Sequence, residues 1–134
     1  MTSVPESIRA QVRQRAGARC EYCGMPENVS AYPHHIEHII ARKHGGTSDL
    51  DNLAWACFQC NVAKGSDIAS YDEVTGALTP LYNPRLDSWE DHFEVIEDAI
   101  VGKTAIGRVT VKLLQMNHPE QVEKRRLLIA AGLW

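Results

Sequence analysis

What this sequence has little of narrows it before any motif does. It has no stretch of about 18 apolar residues, so no membrane-spanning helix is expected. Its opening residues, MTSVPESIRAQ, lack the apolar centre of a secretory leader, and the expected compartment is the cytoplasm. It has no internal repeat and no low-complexity tract. No cysteine is left over, because the four present fall into two pairs. An excess of positive charge is also missing: 14 Lys and Arg face 17 Asp and Glu, for a net charge of −3. That balance excludes a generic polyanion binder. What remains is 134 residues that are 44% hydrophobic, enough for one domain (1–134) with a modest core.

The charge is unevenly spread. Residues 1–20 carry +3, residues 21–65 carry −2, residues 66–101 carry −8 and residues 102–134 carry +4. A nucleic acid would therefore meet local basic patches, with the acidic middle turned away. Arg9, Arg13, Arg15 and Arg19 form one such patch, although a basic helix face is more often simply solvated.

Cys20 and Cys23 form one C-x2-C pair, and Cys57 and Cys60 form another, with 33 residues between. In a reducing compartment this pattern points to a four-cysteine zinc site, against the alternatives of two disulfides or a redox pair. The gap exceeds the ~15–20 residues of the commonest four-cysteine pattern, so something is inserted between the knuckles. The flanking elements follow from periodicity. Val4, Ile8, Val12 and Ala16 mark one face of a helix over residues 4–16, with Ser3 and Glu6 at capping-box spacing and Gly17 as its stop. HHIEHII and NLAWAC read as strands, ARKHGGTSDLD as the loop between them, and CFQCNVAKG as a short helix stopped by Gly65.

Beyond residue 65 a hairpin turns at Thr75-Gly76, and SWEDHFEV gives a helical turn running into an extended stretch to Val101. Ile106, Val109, Leu113 and Met116 fit a helix capped by Thr104, yet Val109, Val111 and Leu113 also alternate as a strand would. Asn117 and Glu120 suggest a capping box for a last helix.

Closing the four cysteines on one metal loops out residues 24–56 and brings the first strand alongside the helix that carries Asn61. Glu37 and Asn61 then offer hard oxygen ligands suited to Mg²⁺ or Mn²⁺. His38 is able to take a proton from water near neutral pH. Asn52 holds the loop or the histidine through side-chain to backbone hydrogen bonds. His35 is either a further ligand or a partly buried structural histidine, and His34 and His44 are expected at the surface. Arg42 and Lys43 before the Gly-Gly turn either contact phosphate or belong to a solvated loop. Lys64 either contacts substrate or favours the helix C-terminus. Trp55 and Phe58 are expected to cover the zinc.

The residues EHI, GG, DNL, CxxCN and KG, in that order, resemble the HNH nuclease motif with its ββα-metal core. The resemblance covers residues 20–65. It implies that His38 is the general base, that Asn52 supports the geometry, and that Asn61 and Glu37 hold the catalytic divalent metal. Glu37 stands where the family usually carries Asp, one methylene shorter, and Ala41 where many members carry proline. The four cysteines are similar to the structural zinc site of many members. LYNPRLDSWEDHF and GRVTVKLLQMN also resemble the tail of small standalone bacterial HNH proteins.

The expected fold is α+β: a ββα-metal finger stapled by a four-cysteine zinc site, with an added N-terminal helix and a C-terminal hairpin and helical extension over 66–134. The expected function is divalent-metal-dependent hydrolysis of DNA phosphodiester bonds by water, with structural Zn²⁺ and catalytic Mg²⁺ or Mn²⁺. RNA is not excluded as substrate, no membrane partner is expected, and two-strand cutting by one small site would favour a dimer. The alternative is a non-catalytic four-cysteine zinc module that binds nucleic acid or a protein partner. Glu37, His38 and Asn61 separate the two, since a pure binding module has no need of them.

Overall fold

A computed structural model describes residues 4–134. Helix α1 (Glu6–Arg15) leads into the first cysteine knuckle, followed by strand β1 (His35–His38), strand β2 (Leu53–Ala56) and helix α2 (Phe58–Lys64). The extension adds β3 (Ala69–Tyr71), β4 (Leu78–Pro80), α3 (Trp89–His92), β5 (Phe93–Ile96), β6 (Ala99–Gly102), α4 (Ala105–Leu113) and α5 (Pro119–Ala130). The strands pair as three separate antiparallel hairpins, β1-β2, β3-β4 and β5-β6. The fold is α+β with a ββα finger near its start. Among the described residues, no helix is long and apolar enough to cross a membrane.

Helix α1 buries the face that its four-residue spacing marks. Val12 is fully buried against Leu53 and Trp55, with Val4, Ile8 and Ala16 packed around them. Gly17, at φ +65°, lets the chain leave the helix. The helix begins at Pro5, which makes no side-chain cap; the expected Ser3 cap lies outside the described residues. The arginines expected to form a basic patch are bonded into the fold. Arg9 stacks 4.8 Å over Trp55, and Arg13 pairs with Glu27. Arg15 donates to Leu50 O and Leu53 O, and Arg19 to Gly24 O.

The second buried cluster is the larger one. It joins the four cysteines, Tyr22 and Met25 to Leu81, Tyr82, Phe93, Ile100, Val109, Leu114, Met116 and Leu128. The extension therefore closes over the finger's cysteine end. Trp89 Nε1 donates to Tyr22 O at 2.8 Å, and Arg85 pairs with Glu21. Helix α4 meets β6 through two glycines. A Cβ on Gly107 would stand 2.0 Å from His92 O, and one on Gly102 would stand 2.3 Å from Arg108 N. Only hydrogen fits at either position.

Several expectations for the extension change. Thr104 does cap α4, accepting from Gly107 N, so the ambiguous segment is helical. The extended stretch to Val101 is instead a hairpin, turning at Glu97 (φ +58°) and Asp98. Asn117 does not cap α5. It bonds Ile100 N and Ile100 O, while His118 Nδ1 accepts from Glu120 N. An amide with two free backbone groups in reach across the chain spends its hydrogen bonds there rather than on the helix end.

The β3-β4 turn is anchored to α4 by Asp72. Its two carboxylate oxygens take Arg108 Nε and Nη2, both at 2.9 Å, and Oδ2 also accepts from Thr75 N. The Arg108 bonds, ahead of the opposing cost of burial, hold the Asp72 carboxyl well below its ordinary range. A folded-state value below the unfolded one stabilises the fold above the unfolded pKa of about 4 and is lost as pH falls below it. Asp72→Asn should thus be less stable than wild type at pH 7. The gap in urea midpoint should narrow steadily below about pH 4; a gap that stays constant down the acid range would show that the pair contributes nothing through its charge.

Candidate functional site

The structure brings the two cysteine pairs together. All four Sγ atoms lie within 4.8 Å of one another, all four residues are buried, and none forms a disulfide. Zinc with thiolates at about 2.3 Å requires a tetrahedron with edges of ~3.8 Å. Cys23 Sγ and Cys57 Sγ stand 3.7 Å apart. The donor set and its spacing fit zinc, and the soft thiolates disfavour Mg²⁺.

Each knuckle also aims backbone N–H groups at sulfur: Cys23 N to Cys20 Sγ at 3.4 Å, and Cys60 N to Cys57 Sγ at 3.3 Å. Gly24, at φ +83°, turns the first knuckle so that its N–H reaches Cys20 O. Four thiolates around one divalent ion leave a buried net charge of −2. Arg125 is buried close enough to feel the charge of Cys23 and Cys60, and it is held by Asp98 O and Met116 O. Trp134 closes this end, with Arg125 and Arg19 each within 5.4 Å of its ring centre.

The other end of the finger is polar. Strands β1 and β2 pair from His35↔Ala56 to His38↔Leu53, so His38 sits in the last rung. The Asn52 side chain closes the hairpin beyond that rung. Its Oδ1 accepts from Ile40 N at 2.9 Å, and its Nδ2 donates to Ile40 O and Thr47 O. The loop reaches this position through its two glycines. Gly45 has φ +88°, and a Cβ on Gly46 would stand 1.7 Å from Ile40 O.

His38 Nε2 lies 3.0 Å from Ser48 Oγ, which also accepts from Arg42 Nη2 at 2.8 Å. Burial, then Arg42 and Lys64, lower the His38 pKa and so favour the neutral ring. Arg42 and Lys43 are exposed on this loop.

Glu37 and His38, adjacent on β1, point to opposite faces. Glu37 turns inward to α2, where it meets Lys64. The ammonium lies 2.9 Å from Glu37 Oε1 and 3.0 Å from Ile39 O, with His38 O at 3.4 Å. The two side chains are 2% and 7% exposed. Lys64, read from the sequence as either a substrate contact or a partner of the helix C-terminus, is thus buried and turned to Glu37. Burial raises the Glu37 pKa, and the bond to Lys64 opposes that rise.

Asn61 is half-buried on α2 and makes no side-chain hydrogen bond among the described residues. It lies three residues before Lys64, on the same face of the helix. The donor types of Glu37 and Asn61 fit a hard divalent cation. Among the described residues, however, the cysteines are the one group of three or more His, Cys, Asp or Glu side chains close enough to share a metal.

Other histidines and aromatics are placed differently from expectation. His34 is buried, with Nε2 donating to Met25 O at 2.8 Å. His35 is half-buried beside Phe58. Trp55 covers α1 rather than the cysteines, and Phe58 is 43% exposed, stacked on Tyr32. His44 is exposed, as expected. Sequence reasoning missed Ser48 and the Glu37–Lys64 pair. The three-residue spacing from Asn61 to Lys64 was the available signal for the latter.

Residues 20–67 match the HNH endonuclease family model. That segment holds both cysteine pairs, β1, β2 and α2, and this part of the chain is an HNH domain. The chain is also similar to the Septu protein PtuB of Bacillus thuringiensis, at 23% identity over 124 residues. The alignment covers 91% of this chain and 46% of that protein, so the chain spans about half the length of the curated relative it matches. No solved structure matches it.

Purified protein should carry one zinc per chain. Cys57→Ser should lose the metal together with much of the stability, because binding and folding free energy are coupled in such sites. Elemental analysis and thermal unfolding check both; a zinc-free protein of unchanged stability would remove the metal from the fold.

Proposed function

We propose that this chain is a divalent-metal-dependent endonuclease that hydrolyses phosphodiester bonds of DNA. The observation that supports the reading is the HNH match together with His38 fixed in the last hairpin rung, next in sequence to the Glu37 carboxylate that turns to the helix carrying Asn61. Glu37 and Asn61 would hold Mg²⁺ or Mn²⁺, which supplies charge neutralisation at the scissile phosphate and the departing 3′-oxygen.

The remaining work falls to this chain's own groups. Ser48 Oγ has two lone pairs, one facing Arg42 and one free to accept from His38 Nε2–H. In that tautomer Nδ1 is the nitrogen that takes the proton from the attacking water. Asn52 keeps the rung from fraying, and so keeps the ring in place. Arg42 and Lys43 meet the phosphate backbone. The products carry a 5′-phosphate and a 3′-hydroxyl.

One observation favours the rival reading, a zinc module that binds nucleic acid or protein without cutting it. Glu37 is already paired with an internal ammonium. Plasmid cleavage against Mn²⁺ concentration separates the two. Wild type should cut. His38→Ala should keep its fold and its DNA binding yet lose about 10²–10⁴-fold in rate, while Asn61→Ala should shift the Mn²⁺ requirement upward. A folded His38→Ala that cuts at the wild-type rate removes the base assignment. A wild type that cuts neither DNA nor RNA with either metal leaves the binding module.

A further inference from the structure

The Lys64 ammonium sits among three oxygens that converge on one point: Glu37 Oε1 at 2.9 Å, Ile39 O at 3.0 Å and His38 O at 3.4 Å. An ammonium has three protons to give, and here three acceptors face it. One carboxylate with two carbonyls is also the kind of oxygen set that holds a hard metal ion. The position is 2% exposed, so little water shares the charge. The lysine comes from α2, one turn beyond Asn61, and α2 is held by Cys57 and Cys60 at its start. The ammonium is thereby delivered to Glu37 by the element that also presents Asn61.

Two cations cannot share this buried carboxylate without repulsion in a medium of low dielectric. From this arrangement we propose that Lys64 is the resident cation of Glu37, and that a divalent metal gains Glu37 only by displacing the Lys64 ammonium. The inference rests on the reading of Glu37 as a metal ligand made above. It makes Lys64 a positioning residue that sets the metal threshold of the site. Lys64, Ile39 and Ile40 line a surface cavity, which gives the ammonium somewhere to go. Lysine has a flexible four-carbon stem and a strongly hydrated head, and the His38 and Ile39 carbonyls it leaves lie at the end of β1. A buried ion pair also gives back part of its attraction in lost hydration, so the pair is a weaker lock than its Coulomb energy alone suggests.

The test is Mn²⁺ binding, followed through the free-ion electron paramagnetic resonance signal, in zinc-loaded wild type, Lys64→Met, Lys64→Gln and the Glu37→Gln/Lys64→Met double variant. Circular dichroism and zinc content establish folding. Either neutral Lys64 variant should bind Mn²⁺ on the order of tenfold more tightly than wild type or better, and the double variant should lose that gain. Unchanged or weaker binding in a folded neutral variant overturns the proposal, because Lys64 then only staples or orients the carboxylate.

Wild type gives an independent measurement. A buried ammonium exchanges its protons slowly, so Lys64 should show a ¹⁵N lysine resonance that disappears or shifts as Mg²⁺ is added. If both neutral variants fail to fold, that resonance decides: survival at the highest Mg²⁺ concentration overturns the proposal. Cleavage by wild type is scored separately. A protein that cuts while Lys64→Met binds Mn²⁺ no better loses this inference and keeps the nuclease reading. A protein that never cuts while Lys64→Met gains a Glu37-dependent site does the reverse.

Discussion

Four cysteines from two stretches of chain, 33 residues apart, meet in one buried cluster, and the polar end of the finger depends on that meeting. The β1-β2 hairpin has four residues per strand and two strands, a size that is marginal alone in water. It is held at both edges of its base. Glu21, inside the first knuckle, takes Trp55 O with its N–H and bonds Trp55 N with its carboxylate. Helix α2 leaves from the second knuckle and packs back on β1. Both supports begin at cysteines. A zinc ion held by the four cysteines would therefore fix one edge of β2 and the start of α2, and with them the meeting of Glu37 and Lys64.

The far end of the hairpin is held by different physics. The Asn52 amide makes three hydrogen bonds to two backbone segments, and a glycine admits the contact by having no side chain. Such a closure is directional, which suits a rung that must aim an imidazole. It is also brittle, since any side chain at Gly46 would drive the loop away from Ile40 O. The finger thus has a covalent-like staple at one end and a hydrogen-bonded clasp at the other, with the short strands between them relaying position.

The staple, the strands and α2 were readable because their signals are local: cysteine spacing, β-branched runs, and glycines at element ends. Helix α1 was readable for the same reason, its apolar residues recurring every four positions over a face that does bury Val12. Where placement differed, at Lys64, His34 and Asn117, each residue takes a partner more than eight residues away, and periodicity says nothing of partners. Phe58 was expected inside because aromatic residues usually are, yet the helix turns it outward, where Tyr32 covers one face. The resemblance supplied roles for Glu37, His38, Asn52 and Asn61. It was silent on Lys64, whose consequence appears only when α2 and β1 are seen together.

The charge pattern gains a different meaning once the partners are known. A basic N-terminal segment and an acidic middle suggested one face for a polyanion and one turned from it. Instead the opposite charges are largely spent on each other and on backbone carbonyls: Arg13 on Glu27, Arg85 on Glu21, Arg108 on Asp72, Arg15 on the carbonyls of Leu50 and Leu53. Segment charges therefore describe folding here more than recognition. On the proposed reading, the exposed Arg42 and Lys43, directly before the two glycines, meet the phosphate backbone, with Arg42 within one hydroxyl of His38. Affinity and chemistry would then share a single short loop. A small protein of net negative charge can be a nuclease on those terms, because the attraction that matters is placed where the bond is to be cut rather than spread over a surface.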